Sequence, residues 1–552
     1  MLNHHITIIL CGGDINASHL PIATSGSNAM IPVNGKPVIG WLLGDLAQKM
    51  AGPVVIVTQS NNVQLLQYVP WAFQGRLEIE FALLEQKGSI VQSLFAGLEK
   101  RNGAMEATVL LGDTFIAEPF PDEENYVLVS NDFDDPRNWC LAKSDAQGFI
   151  TQFFDKENTA LEGLVALTGL YGFKDAGHLV ESCKKALKQG GRELSDVLEI
   201  YGQKHPLRAV ITSRWYDFGH MPHFLKGKHE LLESRYFNEI NIEAVTGVLH
   251  KTSTRTEKLR DEYNWYMALP ESLKILTPRI LNLAEHEGSV VLSQEYYGYP
   301  NLAELYLYGN FDLEIWKVAI QNLLQTHWRL KSIPGPVSAA DALHIYWEKT
   351  AARMGELQEQ GSFFRELTAL EHIHLNGEQL DNLPRLIVKI KARCETLAST
   401  VEGTVIHGDF CLSNILYDIQ NQLVRLIDPR GSFGKKGIYG DPRYDVAKLR
   451  HSLHGGYDFM MADLFSLTSK GPGHFQTDIC SGPLYTELAL FFDAELERAG
   501  YALSDIIFIE ALLFLSMIPL HLDNPERQTM MYLQAIKTFN YVNCFERKAH
   551  NA

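Results

Sequence analysis

The chain has 552 residues, 46% of them hydrophobic and 21% charged, with a net charge of -17. That length exceeds what one hydrophobic core serves, so two or more domains are expected, and the apolar content excludes a disordered chain. With 49 Lys and Arg against 66 Asp and Glu, the chain is poorly suited to gripping a nucleic-acid backbone, so small phosphorylated ligands are expected instead.

Seven cysteines are scattered without a CxxC pair, which argues against a disulfide framework or a zinc site. The start, MLNHHITIIL, lacks the charged opening and long apolar core of a signal peptide, so a cytoplasmic location is expected. The most apolar segment, Ile506–Leu520, is interrupted by Glu510 and Pro519 and reads as too short to span a bilayer, so no membrane insertion is expected.

In chain order, Ile6–Leu10 is a strand-length apolar run that opens into Cys11-Gly12-Gly13. Further runs are Val54–Thr58, Leu77–Leu84, Thr108–Leu111 and Tyr126–Ser130, with helical patterns over Val38–Met50 and Ile90–Lys100. This alternation predicts an α/β domain, Rossmann-like, with a mostly parallel layered sheet and ligands at the carboxyl ends of its strands. Thr108–Leu111 runs into Gly112-Asp113, and Trp215-Tyr216-Asp217-Phe218-Gly219 offers a second carboxylate. Such a pair could clamp one magnesium against a nucleotide triphosphate, although either group alone could be a turn residue.

The Gly12-Gly13 turn, Ile31-Pro32-Val33-Asn34-Gly35-Lys36-Pro37, Gln86-Lys87-Gly88-Ser89, Leu111-Gly112-Asp113, Phe154-Asp155-Lys156, Gly169–Phe173 and Trp215–Gly219 stand in an order that resembles the sugar-phosphate and choline-phosphate nucleotidyltransferases. The likeness covers Ile6 to about Lys228. It implies that Gly12, Gly13, Gln86 and Gly88 contact the nucleotide, that Asp113 and Asp217 hold magnesium, and that Lys156 meets the phosphate of the second substrate. Two positions depart from the pattern: His19 stands where the family has arginine, and Asn28 where it has lysine. Cations there would stabilise charge at the attacked phosphorus, where one donor is worth roughly 3–4 kcal/mol. Lys36 is a candidate substitute, but its place before Pro37 suggests a structural turn.

His220–Glu233 reads as a helical exit from a first domain over 1–228, and a second domain follows over 229–552. Its opening part, about 236–300, has a β-prone stretch Ala244–Lys251 and a helix Glu257–Leu269. A kinase small lobe needs a strand lysine for the nucleotide phosphates and a helical glutamate to orient it, roles that Lys251 and Glu262 fit by order, with Lys258 the alternative lysine. Val290–Gly298 reads as a strand running into a hinge, where backbone groups from Glu295 to Tyr297 could pair with adenine. From 301 onward, amphipathic stretches around Ile315–Trp328, Ala339–Met354 and Leu386–Ala398 predict a helical large lobe.

Next comes Thr404–Arg430, TVIHGDFCLSNILYDIQNQLVRLIDPR. Phosphoryl transfer needs one carboxylate to take the acceptor hydroxyl's proton, and an amide plus another carboxylate to hold magnesium. Asp409, Asn414 and Asp428 have those types in that order. A hairpin of Ile415–Tyr417 with Leu423–Ile427 would return Asp428 to the side of Asn414. HGDxxxxN followed by IDxR resembles the aminoglycoside phosphotransferase and choline kinase superfamily, a likeness running from about Asn238 to the C-terminus. It implies a two-lobed, protein-kinase-like α+β domain, with Asp409 as catalytic base and Asn414 and Asp428 as magnesium ligands. Asp445 resembles a family aspartate that opens the next helix and reads here as a helix N-cap. Arg430 lies near the transferring phosphate by sequence, or in a solvated connection. Ser469–Cys480 reads as an exposed loop.

A kinase and a nucleotidyltransferase perform consecutive steps, so the fusion implies a bifunctional enzyme. It would phosphorylate a sugar or amino alcohol with ATP and magnesium, then join the product to a second nucleotide, CTP or UTP, as a precursor of surface polysaccharide. The alternative is a kinase whose first domain binds a nucleotide or nucleotide-sugar without turning it over. The partners are nucleotides and a small alcohol or sugar, and homo-oligomerisation is left open.

Overall fold

The structure, a computed structural model, describes residues 5–550 except 16–25, 50–51, 102, 134, 158–161, 233–238, 244, 287 and 483. The chain divides into two compact units, Met1–Glu230 with Tyr308–Asn310, and Leu231–Leu307 with Phe311–Ala552.

In the first unit, nine strands among the described residues form one sheet: β1 (His5–Leu10), β2 (Val54–Gln59), β3 (Ile79–Leu84), β4 (Glu106–Leu111), β5 (Tyr126–Ser130), β6 (Cys140–Ser144), β7 (Ile150–Asp155), β8 (Leu164–Phe173) and β9 (Arg208–Ile211). Their order is β7-β6-β8-β4-β1-β2-β3, with β5 pairing both β8 and β9. β1 runs parallel to β2 and β4, and β2 to β3, whereas β8 is antiparallel to β4, β5 and β6. The sheet is therefore mixed, with its parallel half where the sequence shows unbroken β-branched runs. Val54–Thr58 is buried throughout, as a parallel strand covered on both faces should be.

Helix α1 (Val38–Lys49) follows a two-residue hairpin turn, in which Val33 pairs with Lys36 and Asn34 and Gly35 take φ of 52° and 88°. That is the conformation Asn-Gly favours between antiparallel strands. The Lys36 ammonium lies over the Trp41 ring, 5.6 Å from its centroid, in keeping with a structural turn. Helix α2 (Ile90–Lys100) begins at a reciprocal cap in which Ser89 accepts from the Gln92 amide and Gln92 accepts from the Ser89 amide, so the serine of the Gln86–Ser89 motif starts a helix.

In the second unit, β10 (Glu239–Glu243), β11 (Val248–Ser253), β12 (Ile280–His286) and β13 (Ser289–Glu295) form, among the described residues, a four-stranded antiparallel sheet in the order β10-β11-β13-β12, with helix α3 (Thr256–Ala268) beside it. A helical lobe follows, including α4 (Lys349–Glu359), α5 (Pro442–Leu453) and α6 (Leu503–Met517). The unit thus has the α+β, two-lobed, kinase-like arrangement.

Leu503–Leu520 is long and apolar enough to cross a membrane by length and composition, and 72% of it is buried within the protein. Length therefore does not set it apart, contrary to the sequence reading. Its Glu510 instead pairs with the buried Arg450 of α5, which also bonds Asp493 at 2.8 and 2.9 Å. The stretch expected as a loop at Ser469–Cys480 is a hairpin, Phe465–Gly471 against His474–Ile479, turning through Gly471-Pro472-Gly473. Its strands are largely exposed and polar, so they carry no apolar run to read.

Candidate functional site

In the second unit the site is built on a local hairpin. β14 (Ile415–Asp418) pairs antiparallel with β15 (Leu423–Leu426), and the Asp418 carboxylate accepts from the Gln420 and Asn421 amides to form the turn. One residue beyond the ladder, the Ile427 amide donates to the Asn414 carbonyl at 3.0 Å, which sets Asp428 beside Asn414. Asp428 has φ of 56°, a left-handed conformation that non-glycine residues seldom adopt and that clusters at functional sites.

Asp409 is fixed from both sides. The Asn414 side-chain amide donates to its Oδ2 at 3.0 Å, and the Lys448 ammonium lies 2.8 Å from its Oδ1. Burial raises the Asp409 carboxyl's pKa, but Lys448 outweighs that and holds it well below the usual carboxylate range. Gly408 has φ of 80°, and a Cβ there would lie 2.8 Å from the Arg430 Cβ, so only glycine admits this turn.

His407 is buried, and burial holds its imidazole down to about 4. Its Nε2 is 3.0 Å from the Ile427 carbonyl, which can only accept, so the proton sits on Nε2 and Nδ1 accepts from the Asp409 amide at 3.3 Å.

Asp445 is not a cap. Asp441 caps α5, accepting from the Arg443 amide. Asp445 instead reaches back to accept from the His407 and Gly408 amides at 2.7 and 2.8 Å, bracing the turn that carries Asp409. Burial pushes its carboxyl up to about 7, with the two amide donors opposing.

Lys251, on β11, lies 2.8 Å from Glu262 of α3 and 2.7 Å from Asp428, and its side chain is only 9% exposed. The alternative, Lys258, is exposed and makes neither contact. Burial lowers the Lys251 pKa, but Asp428 and Glu262 outweigh it and keep the ammonium charged. At the hinge, the amides of Glu295 and Tyr296 already donate to the Arg279 and Gly247 carbonyls at 2.9 and 2.8 Å, which narrows the backbone donor expected for adenine to the Tyr297 amide. The Tyr297 hydroxyl donates to Glu295 at 2.9 Å. Arg430 donates its backbone amide to the His407 carbonyl at 3.0 Å and its guanidinium to the Tyr444 hydroxyl at 2.8 Å.

The donor set suits magnesium. The Asn414 amide nitrogen faces Asp409, which leaves its oxygen as the acceptor atom for a metal, and Asp428, one residue beyond the Ile427 amide bonded to the Asn414 carbonyl, has a side chain 50% exposed. Among the described residues no group of three or more His, Cys, Asp or Glu side chains forms a protein-only metal site. A magnesium that takes one or two carboxylates plus substrate phosphates does not require such a group. Sequence reasoning missed Lys448, for which the signal was its i, i+3 spacing from Asp445 on one face of α5.

In the first unit, the Trp215–Asp217 strand pairs antiparallel with Thr114–Ile116, and the Phe218 amide donates to the Asp113 carbonyl at 3.0 Å. This brings Asp113 and Asp217 together: a Cβ on Gly219 would lie 3.3 Å from Asp113 Oδ2 and 3.7 Å from Asp217 Oδ2. Burial and then the Asp217 charge push the Asp113 carboxyl up to about 6. Asn28 donates to Asp113 Oδ2 at 3.2 Å, and His220 Nδ1 lies 2.8 Å from Asp217 Oδ1. Two adjoining carboxylates, bonded by one neutral amide and one imidazole, fit a divalent cation.

A cavity of about 350 Å³ is lined by Gly12, Gly13, Lys87, Gly88, Asp113 and Arg192, among others. Lys87 and Arg192 were not read from the sequence as site cations. Gln86 and Lys156 are exposed and do not line this cavity, and Lys156 takes a left-handed φ of 54° with its amide on the Trp139 carbonyl. A contact between Gln86 and a base therefore has no support from this cavity, because Ser89 turns the chain into α2 just beyond it. His19 lies outside the described residues.

Residues 6–234 match the family model described as nucleotidyl transferase. Over 255 residues the chain is 25% identical to a bifunctional protein GlmU of Methanococcus maripaludis, covering 45% of this chain and 58% of that protein. A GlmU from a second strain is 24% identical over 219 residues, covering 39% and 51%. The chain thus spans little more than half the length of these curated relatives. Among solved structures, the inositol-1-phosphate CTP transferase of T. maritima is 12% identical, covering 42% of this chain and 98% of that one, with a TM-score of 0.35. An aminoglycoside-3'-phosphotransferase of type VIII is 18% identical, covering 53% and 84%, with a TM-score of 0.28. The N-terminal part of the chain, residues 6–234, is a nucleotidyl transferase family domain.

Proposed function

We propose that the protein is a bifunctional enzyme that phosphorylates a small alcohol with ATP and couples the resulting phosphomonoester to a second nucleotide, CTP or UTP. The observation that carries the reading is that Lys251 of β11, held by Glu262 of α3, pairs with Asp428 just past the β14–β15 hairpin, while Asn414 just before it bonds Asp409. In this reading Asp409 orients the acceptor hydroxyl and takes its proton as the phosphoryl group leaves ATP. Lys251, held by Glu262, binds the nucleotide phosphates, and Tyr297 offers the hinge contact to adenine. Magnesium, held by Asp428 and Asn414, neutralises phosphate charge. The braced turn at His407 and Gly408 keeps Asp409 in place, so little reorganisation accompanies transfer.

In the first unit, Asp113 and Asp217 would hold the magnesium of the second nucleotide, and Gly12, Gly13 and Gly88 would let the protein main chain approach that nucleotide closely. Cytoplasmic synthesis of an activated surface-polysaccharide precursor is the pathway we assign. Incubation with ATP, magnesium, each NTP and a panel of alcohols, followed by phosphorus NMR, tests the whole. A new phosphomonoester and then an NDP-linked diester are expected, and no phosphomonoester with any acceptor would contradict the kinase step.

One observation favours a second reading of the first unit, as a nucleotide-binding module without turnover: Asn28 sits on Asp113 where the family has lysine. Under that reading the protein binds nucleotide in a thermal-shift assay but releases no pyrophosphate with any NTP and candidate phosphate.

A further inference from the structure

Three cations, Arg430, Lys448 and Lys349, gather around one phenol at the site assigned to phosphoryl transfer. Tyr444 is buried and accepts from the Arg430 guanidinium at 2.8 Å, with the guanidinium carbon 5.8 Å from its ring centroid. Lys448 stands one turn further along α5 and touches Asp409 at 2.8 Å. Lys349, the first residue of α4, follows Tyr346, whose ring lies 6.4 Å from that of Tyr444. Lys349 is within electrostatic reach of Tyr444, Arg430, Lys448 and Arg353.

The nearby carboxylates are already engaged. Asp409 is held by Lys448 and Asn414, Asp445 by two backbone amides, Asp441 by Arg443 and Tyr346, and Glu356 by Arg353 at 3.6 Å. Among the described residues, neither the Lys349 ammonium nor the Arg430 guanidinium forms an ion pair with a carboxylate, and a carboxylate within electrostatic reach of Arg430, Asp409, is itself held by Lys448. Burial, with Arg430, Lys448 and Arg353, draws the Lys349 pKa down to about 8, while Lys349, Arg430 and Lys448 overcome burial to lower that of Tyr444. In a chain of net charge -17 this is a local excess of positive charge beside the reactive carboxylate. Partly buried cations without counter-charges are unfavourable unless a ligand supplies the anion.

We propose that the acceptor alcohol carries an anionic group, a carboxylate or a phosphate, which Lys349 and Arg430 bind beside Tyr444 while its hydroxyl reaches Asp409. The inference rests on the kinase reading of this site and narrows its substrate class, since the same cluster repels a cationic amino alcohol. Lys349 comes from a different element from Asp409, Asn414 and Asp428, so it can be substituted without touching the magnesium and nucleotide residues, whereas Arg430 follows Asp428 by two residues.

Titration calorimetry on the full chain, with magnesium, a non-hydrolysable ATP analogue and constant ionic strength, compares D-glucuronate, D-glucose 6-phosphate, D-glucose and choline. At least one anion is expected to bind about tenfold or more tighter than glucose, as befits a charge-assisted pair. The two anions distinguish carboxylate from phosphate. Lys349→Met should abolish the preference without lowering the melting temperature of the ligand-free protein, and Lys349→Arg should retain the preference. Glucose or choline binding as tightly as both anions, no binding of either anion, or a preference that survives Lys349→Met would each overturn the proposal. Binding of the ATP analogue separates the two ideas: anions that bind where the analogue does not leave the subsite standing and remove the kinase reading, and the reverse removes the subsite alone.

Discussion

The two sites solve the same electrostatic problem differently. In the second unit each reactive carboxylate has its own ammonium, Lys448 on Asp409 and Lys251 on Asp428, so both are held below the usual carboxylate range without any ligand. In the first unit Asp113 and Asp217 adjoin each other with the Asn28 amide and the His220 imidazole beside them but, among the described residues, no lysine or arginine paired to either, and the Asp113 carboxyl rises to about 6. The first arrangement is preorganised by the chain. The second depends on positive charge that arrives with a ligand or from cavity cations such as Lys87 and Arg192. A carboxylate pair without a built-in cation binds metal well but stabilises an attacked phosphate poorly.

This contrast can be broken experimentally. The largest effect should come from Lys251→Met, which leaves Glu262 buried without its partner. A loss of about 3–5 kcal/mol in the stability of the second unit is expected, with weaker ATP binding. Chemical denaturation with nucleotide titration measures both, and an unchanged unfolding midpoint would remove the pair from the account.

Next is Asn28→Lys, which supplies the missing cation. Pyrophosphate release should rise by roughly 100-fold. Because the ammonium lowers the Asp113 pKa, the acid limb of the pH profile, expected near pH 6 in the native protein, should shift downward. An unshifted limb would mean that Asp113 does not govern it.

The smallest effect concerns His407. Its folded-state pKa of about 4 lies below the ordinary value, so the unfolded chain takes up the proton first as pH falls. Its contribution is fully present above about pH 6.5 and is lost progressively as pH drops toward 4, at about 1.4 kcal/mol per unit. The stability difference between wild type and His407→Gln should therefore shrink over that range. A pH-independent difference would show that the imidazole is not held neutral.

What could be read from the sequence follows from how local each feature is. The central parallel strands at Ile6–Leu10 and Val54–Thr58 are continuous β-branched runs, and the structure has them within a residue or two. In the antiparallel half of the sheet, β7 is partly exposed and carries no such run, and the buried β8 is broken up by Gly169 and Gly172. Asp409, Asn414 and Asp428 were legible because one short hairpin joins them. Lys251 meets Asp428 across 177 residues, a contact that family order suggests but spacing cannot. Lys349 carried no motif and Lys448 only its spacing from Asp445, since a lysine in a helix reads as a solvated surface charge until the fold buries it. Asp445 was misread as a cap because its partners, the His407 and Gly408 amides, lie 38 and 37 residues upstream.

The most direct measurement of the central claim is phosphorus NMR of the full chain with ATP, magnesium and the acceptor panel, run side by side for the wild type and Asp409→Asn. The account predicts a new phosphomonoester resonance in the wild type and a fall in its rate of about 100-fold or more in the variant, with the fold unchanged by circular dichroism. Equal rates in the two proteins would contradict it.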